Sequence, residues 1–273
     1  MIALFVAGVA VRGDGLDGWE AARPVLAGEA PYVPAPARLP PPAILAPNER
    51  RRAGPVTRLA LAVASEAAES SGLPPASLRS VFASSNGDGA TIHAILQSLA
   101  EPGAAVSPTQ FHNSVHNAAA GYWSIGAGSR QPATCLGCHD ATVGAALLAA
   151  AAEAGVEQQP VLLCVYDIPL PEPLNTARPA AGVFGAGLVL SPVSLPGALA
   201  RIRIEWVAGA PPPGREAPRV DPGGLSRTNP AARIMRLLEA LACRRADHLV
   251  IGLLDGHVAI SIEPCSTAPA LPR

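Results

Sequence analysis

Charged residues are scarce in this sequence, and neither sign is in excess. Only 15% of the 273 residues are charged, with 20 basic side chains against 21 acidic ones. This balance excludes the broad positive field that non-specific binding of nucleic acid requires. Hydrophobic residues make up 49% of the chain, far more than disordered proteins contain. The composition therefore predicts a globular protein, and the length suits one large α/β domain spanning residues 1–273.

Features of export and membrane insertion are also missing. The apolar start, residues 1–9, lacks the positive charges of a signal peptide, so we predict a buried first strand there. The alanine-rich run at 141–152 is shorter than the roughly 18 apolar residues of a membrane-spanning helix. The cysteines are odd in number and lie mostly in apolar runs, at Cys135, Cys138, Cys164, Cys243 and Cys265. That usage is typical of a reducing compartment, and we expect a cytoplasmic protein.

Proline and glycine interrupt the apolar pattern at two places. Residues 31–48 contain repeated prolines, and residues 209–230 are rich in both proline and glycine. Both stretches predict irregular connections, because these residues break helices and strands. We interpret the first as a loop and the second as a linker within the single domain.

Helical and extended patterns alternate along the rest of the chain. Helical spacing of apolar residues predicts helices at 56–71, from about 142 to 154 and at 231–242. A further helix is predicted in the segment that contains Ile92, Leu96 and Leu99. Apolar or alternating runs predict strands at 79–85, 132–136, 160–166, 183–190, 201–207 and 257–263. This alternation predicts an α/β fold with a mixed, mostly parallel sheet and helices on both faces.

One strand, turn and helix unit, residues 132–154, follows an unusual polar segment. Asp140 or Thr142 suits the cap of its helix. The polar segment, 107–125, reads Ser-Pro-Thr-Gln-Phe-His-Asn-Ser-Val-His-Asn-Ala-Ala-Ala-Gly-Tyr-Trp-Ser-Ile. In this order the elements resemble the N-terminal half of β-ketoacyl synthases, and more closely the short ketosynthase-like chain-length-factor partners of aryl-polyene-type biosynthesis. The resemblance covers about residues 1–192 and implies approximately the N-terminal half of a thiolase-like fold.

In complete ketosynthases the turn before the helix holds a nucleophilic cysteine, whose thiol pKa is lowered by the helix dipole. The resemblance places Cys135 or Cys138 at this turn, since the register can shift by a few residues, and His116 or His139 would activate the thiol. Both thiols could instead be buried and inert. The Cys135-x-x-Cys138 spacing also matches a redox pair or half of a zinc site, although no second ligand pair accompanies it.

Two motifs of complete condensing enzymes do not occur here. These are the His-Gly-Thr and Gly-His-x-x-Gly motifs, whose histidines polarise thioester carbonyls in the family. The resemblance therefore implies a partner subunit that pairs with a full β-ketoacyl synthase in type II fatty acid or polyketide elongation. It would need no cofactor, because an acyl carrier protein would present the acyl-phosphopantetheine. The alternative is an acyltransferase or thioester hydrolase that uses Cys135 or Cys138.

The same region contains the candidate interface. Dimers of this fold join their sheets through the strand before the nucleophile, which here is the strand at 132–136. Tyr122 and Trp123 concentrate aromatic area, which suits an interface but also a core. His112 and His116 have the spacing of residues on one helix face. They could form a polar or metal-binding site there, or they could make hydrogen bonds across an interface or to neighbouring backbone. We predict an interface formed by Ser114, His116, Asn117, Tyr122, Trp123 and Thr134.

We expect the purified chain alone to catalyse no decarboxylative condensation of malonyl-carrier protein, because its sequence lacks both histidine motifs that polarise the carbonyls. The measurement is product formation in a preparation free of any ketosynthase, with a complete ketosynthase as the positive control. Turnover by the chain alone would contradict the partner-subunit hypothesis.

Overall fold

The computed structural model describes residues 1–213 and 217–266, and a nine-stranded sheet forms its centre. The strands are β1 (Ile2–Gly13), β2 (Leu16–Asp17), β3 (Arg79–Ala83), β4 (Ala133–Leu136), β5 (Val161–Asp167), β6 (Phe184–Ser191), β7 (Ala200–Ala208), β8 (Asp247–Leu253) and β9 (Gly256–Pro264). The α-helices are α1 (Trp19–Leu26), α2 (Pro47–Arg52), α3 (Pro55–Ser71), α4 (Gly89–Ala100), α5 (Pro108–Asn113), α6 (Ala118–Ala127), α7 (Thr142–Glu157), α8 (Leu174–Ala177), α9 (Leu225–Thr228) and α10 (Met235–Ala242). Short 3₁₀ helices span Pro75–Ser77, Pro222–Gly224 and Pro230–Ile234.

The strand order across the sheet is β4-β3-β5-β6-β1-β7-β9-β8, with β2 paired to β1. β3 is parallel to β4 and to β5. The other neighbours in the described sheet are antiparallel, so the sheet is mixed as predicted, but parallel pairs do not predominate. A continuous apolar run in the sequence indicates that a strand is buried on both faces of the sheet, but it does not indicate the direction of that strand. The register shows the direction of β6, because Val161 lies opposite Leu190 and Asp167 opposite Phe184.

Helices cover both faces of the sheet, as predicted. α3 packs across β1, β5 and β6, while α7 packs against β1, β3 and β5 on the opposite face, and each helix belongs to its own hydrophobic cluster. α3 lies very close to the sheet because β6 has a glycine beneath it. A Cβ atom on Gly187 would lie only 2.4 Å from the carbonyl oxygen of Val63, so no larger residue fits there.

The predicted helix at 56–71 is confirmed in both its length and its buried face. Val56, Leu59, Ala60 and Val63 are buried, as their helical spacing requires. The helix ends where Gly72 adopts a left-handed backbone with φ of 69°, a conformation that glycine adopts without a steric penalty. None of the helices in the described ranges is long and apolar enough to span a membrane.

α4 is present as predicted, but its apolar side chains are not covered. The Asp88 side chain caps the helix by accepting a hydrogen bond from the Thr91 N–H at 3.0 Å. Ile92, Leu96 and Leu99 are 38%, 50% and 66% exposed. An apolar helix face of this kind on the surface indicates a place where another molecule binds.

The two proline-rich stretches differ from each other. Residues 31–46 contain neither helix nor strand, while Pro47 is the first residue of α2. The predicted linker at 209–230 contains Pro222–Gly224 and α9, and residues 214–216 of it lie outside the described residues. Near its end lies a buried side chain, Asn229, whose Nδ2 donates to the carbonyl oxygen of Asp167 at 3.1 Å. The described residues around Leu225 and Asn229 are therefore packed against the domain, and the division into a domain and a linker stays a prediction.

Tyr122 and Trp123 belong to the hydrophobic core, and their prediction as interface residues is wrong. They are 2% and 1% exposed and lie in the cluster on the α3 face. The Trp123 ring lies 6.4 Å from the ring of Phe82, while the Tyr122 hydroxyl donates to Asn113 Oδ1 at 3.0 Å. The sequence was compatible with both the core and an interface, and the packing of α6 against α3 places both side chains in the core.

We expect Trp123→Ala to lower the free energy of unfolding by about 3–5 kcal/mol, because it empties a large volume in the core. The matched control is Ile125→Ala two residues away, where the side chain is 63% exposed, and the expected change is below about 0.5 kcal/mol. Urea denaturation of both variants measures the difference. Equal stabilities of the two variants would contradict the assignment of Trp123 to the core.

Candidate functional site

The turn between β4 and α7, residues 137–141, has a tightly bonded backbone. His139 adopts a left-handed conformation with φ of 48°, which is unusual for a residue with a side chain. The Thr142 hydroxyl accepts from the Cys138 N–H at 2.9 Å and donates to the His139 carbonyl at 2.7 Å. No side chain caps α7 at Ala141, so capping by Asp140 or Thr142 is wrong; Thr142 stabilises the turn before the helix instead.

Cys135 does not lie at this turn. It lies within β4, opposite Phe82 of β3, and burial raises the pKa of its thiol. A nucleophilic thiol needs a lowered pKa and a place at the helix N-terminus, and Cys135 has neither. Its assignment as the nucleophile is therefore wrong, and the alternative of a packed, inert thiol fits the structure.

Cys138 lies in the turn, but it shares no site with Cys135. Cys138 packs against the hydrophobic cluster on the α7 face and Cys135 against the cluster on the α3 face. Both thiols are free, and their placement on opposite faces contradicts a redox pair or a shared zinc site. Within the ranges 1–213 and 217–266, no group of three or more metal-binding side chains is close enough to hold a metal ion.

Asp140 lies just before the helix N-terminus, where a nucleophile would be expected. Its Oδ1 accepts from Arg178 Nη2 at 2.8 Å, and its Oδ2 is 3.4 Å from Arg233 Nη2. Partial burial opposes ionisation of this carboxyl group, but the Arg178 hydrogen bond and the charges of Arg233, Arg178 and His139 outweigh it and lower the pKa of Asp140. The turn therefore presents a carboxylate held by two arginines.

A second carboxylate, Asp167 at the end of β5, holds the turn that follows β3. Its Oδ1 accepts from the Ser84 hydroxyl at 2.8 Å and from the N–H groups of Ser85 and Asn86, each at 3.0 Å. Asp167 is 1% exposed, and burial raises its pKa to about 6 although these hydrogen bonds and the charge of Arg178 favour ionisation. The residue fixes the segment that leads into α4 and takes no visible part in covalent chemistry.

The two carboxylates are linked through Ser85. Arg178 Nη2 donates to the Ser85 hydroxyl at 2.8 Å as well as to Asp140, and the Ser85 hydroxyl donates to the His139 carbonyl at 2.9 Å. The carboxyl ends of β3, β4 and β5 therefore meet in one polar cluster. Asp167, Arg178 and Arg233 were not predicted in this role, because nothing in their local sequence indicates their partners.

His116 lies beside the turn without activating a thiol. Its Nε2 donates to the Ser84 carbonyl at 3.0 Å, since a carbonyl oxygen only accepts. Among the described residues no hydrogen bond joins His116 to Cys135 or Cys138, so the structure gives no support for His116 as the activating base. A Cβ on Gly137 would lie 2.8 Å from the Ser84 carbonyl oxygen and 3.2 Å from His116 Nε2, so a larger residue would clash with the backbone there.

His112 and His116 do not share a helix face, because α5 ends at Asn113. The remaining predicted interface residues lie at or near the surface. Asn117 is exposed and Ser114 and Thr134 are half-buried. Thr134 lies in β4, which pairs with β3 alone among the described strands, and its hydroxyl donates to Glu153 at 2.6 Å. Contact of Ser114, His116, Asn117 and Thr134 with a partner stays a prediction.

The sequence and the fold have clear relatives. Residues 26–205 match the family described as "Beta-ketoacyl synthase, N-terminal domain", and no curated protein matches the sequence significantly. One similar structure is the ketosynthase ApeO in complex with its chain length factor ApeC from Xenorhabdus doucetiae, with 18% identity, a TM-score of 0.69 and coverage of 96% of this chain and 100% of that one.

Two further structures have similar values. The ishigamide ketosynthase/chain length factor matches at 14% identity and a TM-score of 0.69, covering 96% of this chain and 99% of that one. A β-ketoacyl synthase from Burkholderia phymatum STM815 matches at 11% identity and a TM-score of 0.70, covering 97% and 100%. These likenesses show a thiolase-like ketosynthase fold, which confirms the predicted fold class.

We expect the raised pKa of Asp167 to make the protein more stable as the pH falls from 7 to 5. The folded-state pKa of about 6 lies above the unfolded value of about 3.9, so this stabilisation is complete below the unfolded pKa and is lost as the pH rises through the folded pKa. Asp167→Asn removes the titration. The difference between the free energies of unfolding of the wild type and the variant should therefore grow by about 1 kcal/mol in favour of the wild type from pH 7 to pH 5. Urea denaturation at both pH values measures this difference. If the stabilities of the two proteins change with pH in parallel, the raised pKa is contradicted.

Proposed function

The chain belongs to the β-ketoacyl synthase N-terminal domain family, and from this membership we propose that it acts as a chain-length-factor partner of a complete β-ketoacyl synthase. The reaction would be acyl-chain elongation of the type II fatty acid or polyketide kind, including aryl-polyene-like products. An acyl carrier protein would present the growing chain to the pair. The chain itself would contribute surface and shape and no nucleophile.

The observation that carries the proposal is the identity of the residue at the turn. Asp140 stands there in ion pairs with Arg178 and Arg233, while Cys135 lies inside β4 with a raised pKa. A carboxylate in two ion pairs is a poor nucleophile towards a thioester, because attack would remove its charge from both arginines. This arrangement supports a subunit that leaves the covalent step to its partner.

The uncovered surface of α4 supports the need for a partner. Three apolar side chains of one helix, Ile92, Leu96 and Leu99, are partly or largely exposed, and Phe111 on the neighbouring α5 is 68% exposed. α4 and α5 contact each other, so these side chains belong to one region, which we call the α4–α5 surface. Monomeric proteins rarely leave such surfaces open to water. In the proposed pair the α4–α5 surface would be buried, and part of it would limit the room for the acyl chain.

The free edge of β4 gives a second point of contact. β4 hydrogen-bonds to β3 on one side, and an open strand edge is a template for another strand unless it is covered. β4 is only four residues long, so a contact through this edge alone would be small. The edge and the α4–α5 surface together would give a larger interface.

The acyltransferase or hydrolase alternative keeps one feature, the free thiol of Cys138 in the turn before α7, but within the described residues no hydrogen bond joins this thiol to His116 or His139. It needs an activated thiol, but burial raises the pKa of Cys135, and His116 Nε2 is engaged by the Ser84 carbonyl. We therefore retain the partner subunit as the single proposal.

We expect Leu96→Asp/Leu99→Asp to weaken pairing with a ketosynthase from the same organism at least tenfold, because two charges would be buried without partners. The free subunit should stay folded, since both side chains are at least half exposed in it. Size-exclusion chromatography and native mass of the co-expressed pair measure complex formation, and circular dichroism checks the fold.

The matched control is Val156→Asp on α7, whose side chain is 78% exposed and lies on the other face of the sheet. This variant should pair as the wild type does. If the double variant pairs as tightly as the wild type, the α4–α5 surface is not the interface. If Val156→Asp abolishes pairing, the interface lies on the α7 side.

A further inference from the structure

A groove of about 370 Å³ lies beside β8, at the edge of the sheet opposite to β4. One wall consists of Val250, Ile251 and Gly252 of β8, and the other of Ser226, Arg227 and Arg233. β8 pairs with β9 alone among the described strands. The groove therefore combines an apolar strand edge with two guanidinium groups, and it is separate from the α4–α5 surface.

Arg227 is weakly committed to other groups. Its side chain is 79% exposed, and its contact with Asp221 Oδ2 is long, at 3.9 Å. Both oxygens of Asp221 already accept from Ser226, Oδ1 from the N–H at 2.9 Å and Oδ2 from the hydroxyl at 2.7 Å. Among residues 1–213 and 217–266, Asp221 is the one carboxylate paired with Arg227, so several N–H groups of Arg227 have no acceptor within these ranges.

Arg233 is shared with the turn before α7. Its Nη1 donates to the Asp140 carbonyl at 2.8 Å, and its Nη2 is 3.4 Å from Asp140 Oδ2. Asp140 is also bound by Arg178 at 2.8 Å. Within residues 1–213 and 217–266, three arginines, Arg178, Arg227 and Arg233, contact two carboxylates, Asp140 and Asp221, so this cluster has one more positive than negative charge. In the described part of the chain, no carboxylate lines the groove.

We propose that this groove binds an oxyanion, a phosphate monoester or a carboxylate, that is attached to a short apolar chain. Guanidinium groups suit such ligands because their planar N–H donors match the oxygens of a phosphate or carboxylate. The apolar chain would lie along Val250 and Ile251, where its removal from water is favourable. A ligand here would compete with Asp140 for Arg233, so occupancy of the groove and the structure of the turn are coupled.

The test uses the whole purified chain in a buffer free of phosphate. Calorimetric titration with n-butyl phosphate, inorganic phosphate, butyrate and acetate separates the head group from the chain. We expect saturable one-to-one binding of at least one anion, and tighter binding of the butyl compound than of its parent ion. Arg227→Ala should weaken that binding at least fivefold, and it should leave the fold intact, because the ion pair of Arg227 within the described ranges is the long contact with Asp221.

The control is Arg201→Ala, which removes an exposed arginine from β7 and should leave the affinity unchanged. Equal binding by the wild type and Arg227→Ala, or no saturable binding of any of the four anions, would overturn the proposal. The measurement needs no ketosynthase, so its result is independent of the proposed pairing. Preference for phosphate or for carboxylate in the titrations identifies the head group.

Discussion

The contact between Asp140 and two arginines is the interaction on which the rest of this structure depends. Asp140 is in the turn between β4 and α7, Arg178 is in the segment between β5 and β6, and Arg233 is in the 3₁₀ helix before α10. Through these ion pairs the turn after the edge strand β4 is joined to the segment after β5 and to the C-terminal part of the chain. The same contact lies in the turn where the resemblance to ketosynthases predicted a nucleophile, two residues after Cys138.

This contact has a simple physical consequence. A turn with a left-handed residue before a helix is suited to present a reactive group, because backbone N–H groups and the helix dipole favour negative charge there. In this chain the pKa of Asp140 is lowered by its hydrogen bond with Arg178 and by the neighbouring positive charges, so the carboxyl group at this turn is held in its charged form. Its ion pairs with Arg178 and Arg233 hold separate parts of the chain together.

The sheet has two free edges with different surroundings. β8 lies beside the basic groove, while the α4–α5 surface exposes apolar side chains. An apolar surface favours a protein or acyl partner, and a pair of guanidinium groups favours an anion. The groove is joined to the turn after β4 through Arg233, which contacts Asp140.

The sequence by itself determined the elements. Apolar periodicity predicted α3 with its buried face, and continuous apolar runs predicted β5 and β6, because local spacing alone decides which face can be buried. The sequence also predicted the strand, turn and helix at 132–154. It did not predict strand direction, because a run that is buried on both faces has the same pattern in either direction. Nor did the sequence show whether Trp123 lies in the core or on the surface.

Only the tertiary structure decided which polar residues meet. Arg178 and Arg233 are 38 and 93 positions away from Asp140, and Asp167 is 83 positions from Ser84, so no local pattern could pair them. The register of β4 on β3 likewise fixed Cys135 inside the strand and left Asp140 at the turn. The chemistry of this site depends on long-range contacts, and these arise from how the layers pack and not from any one segment.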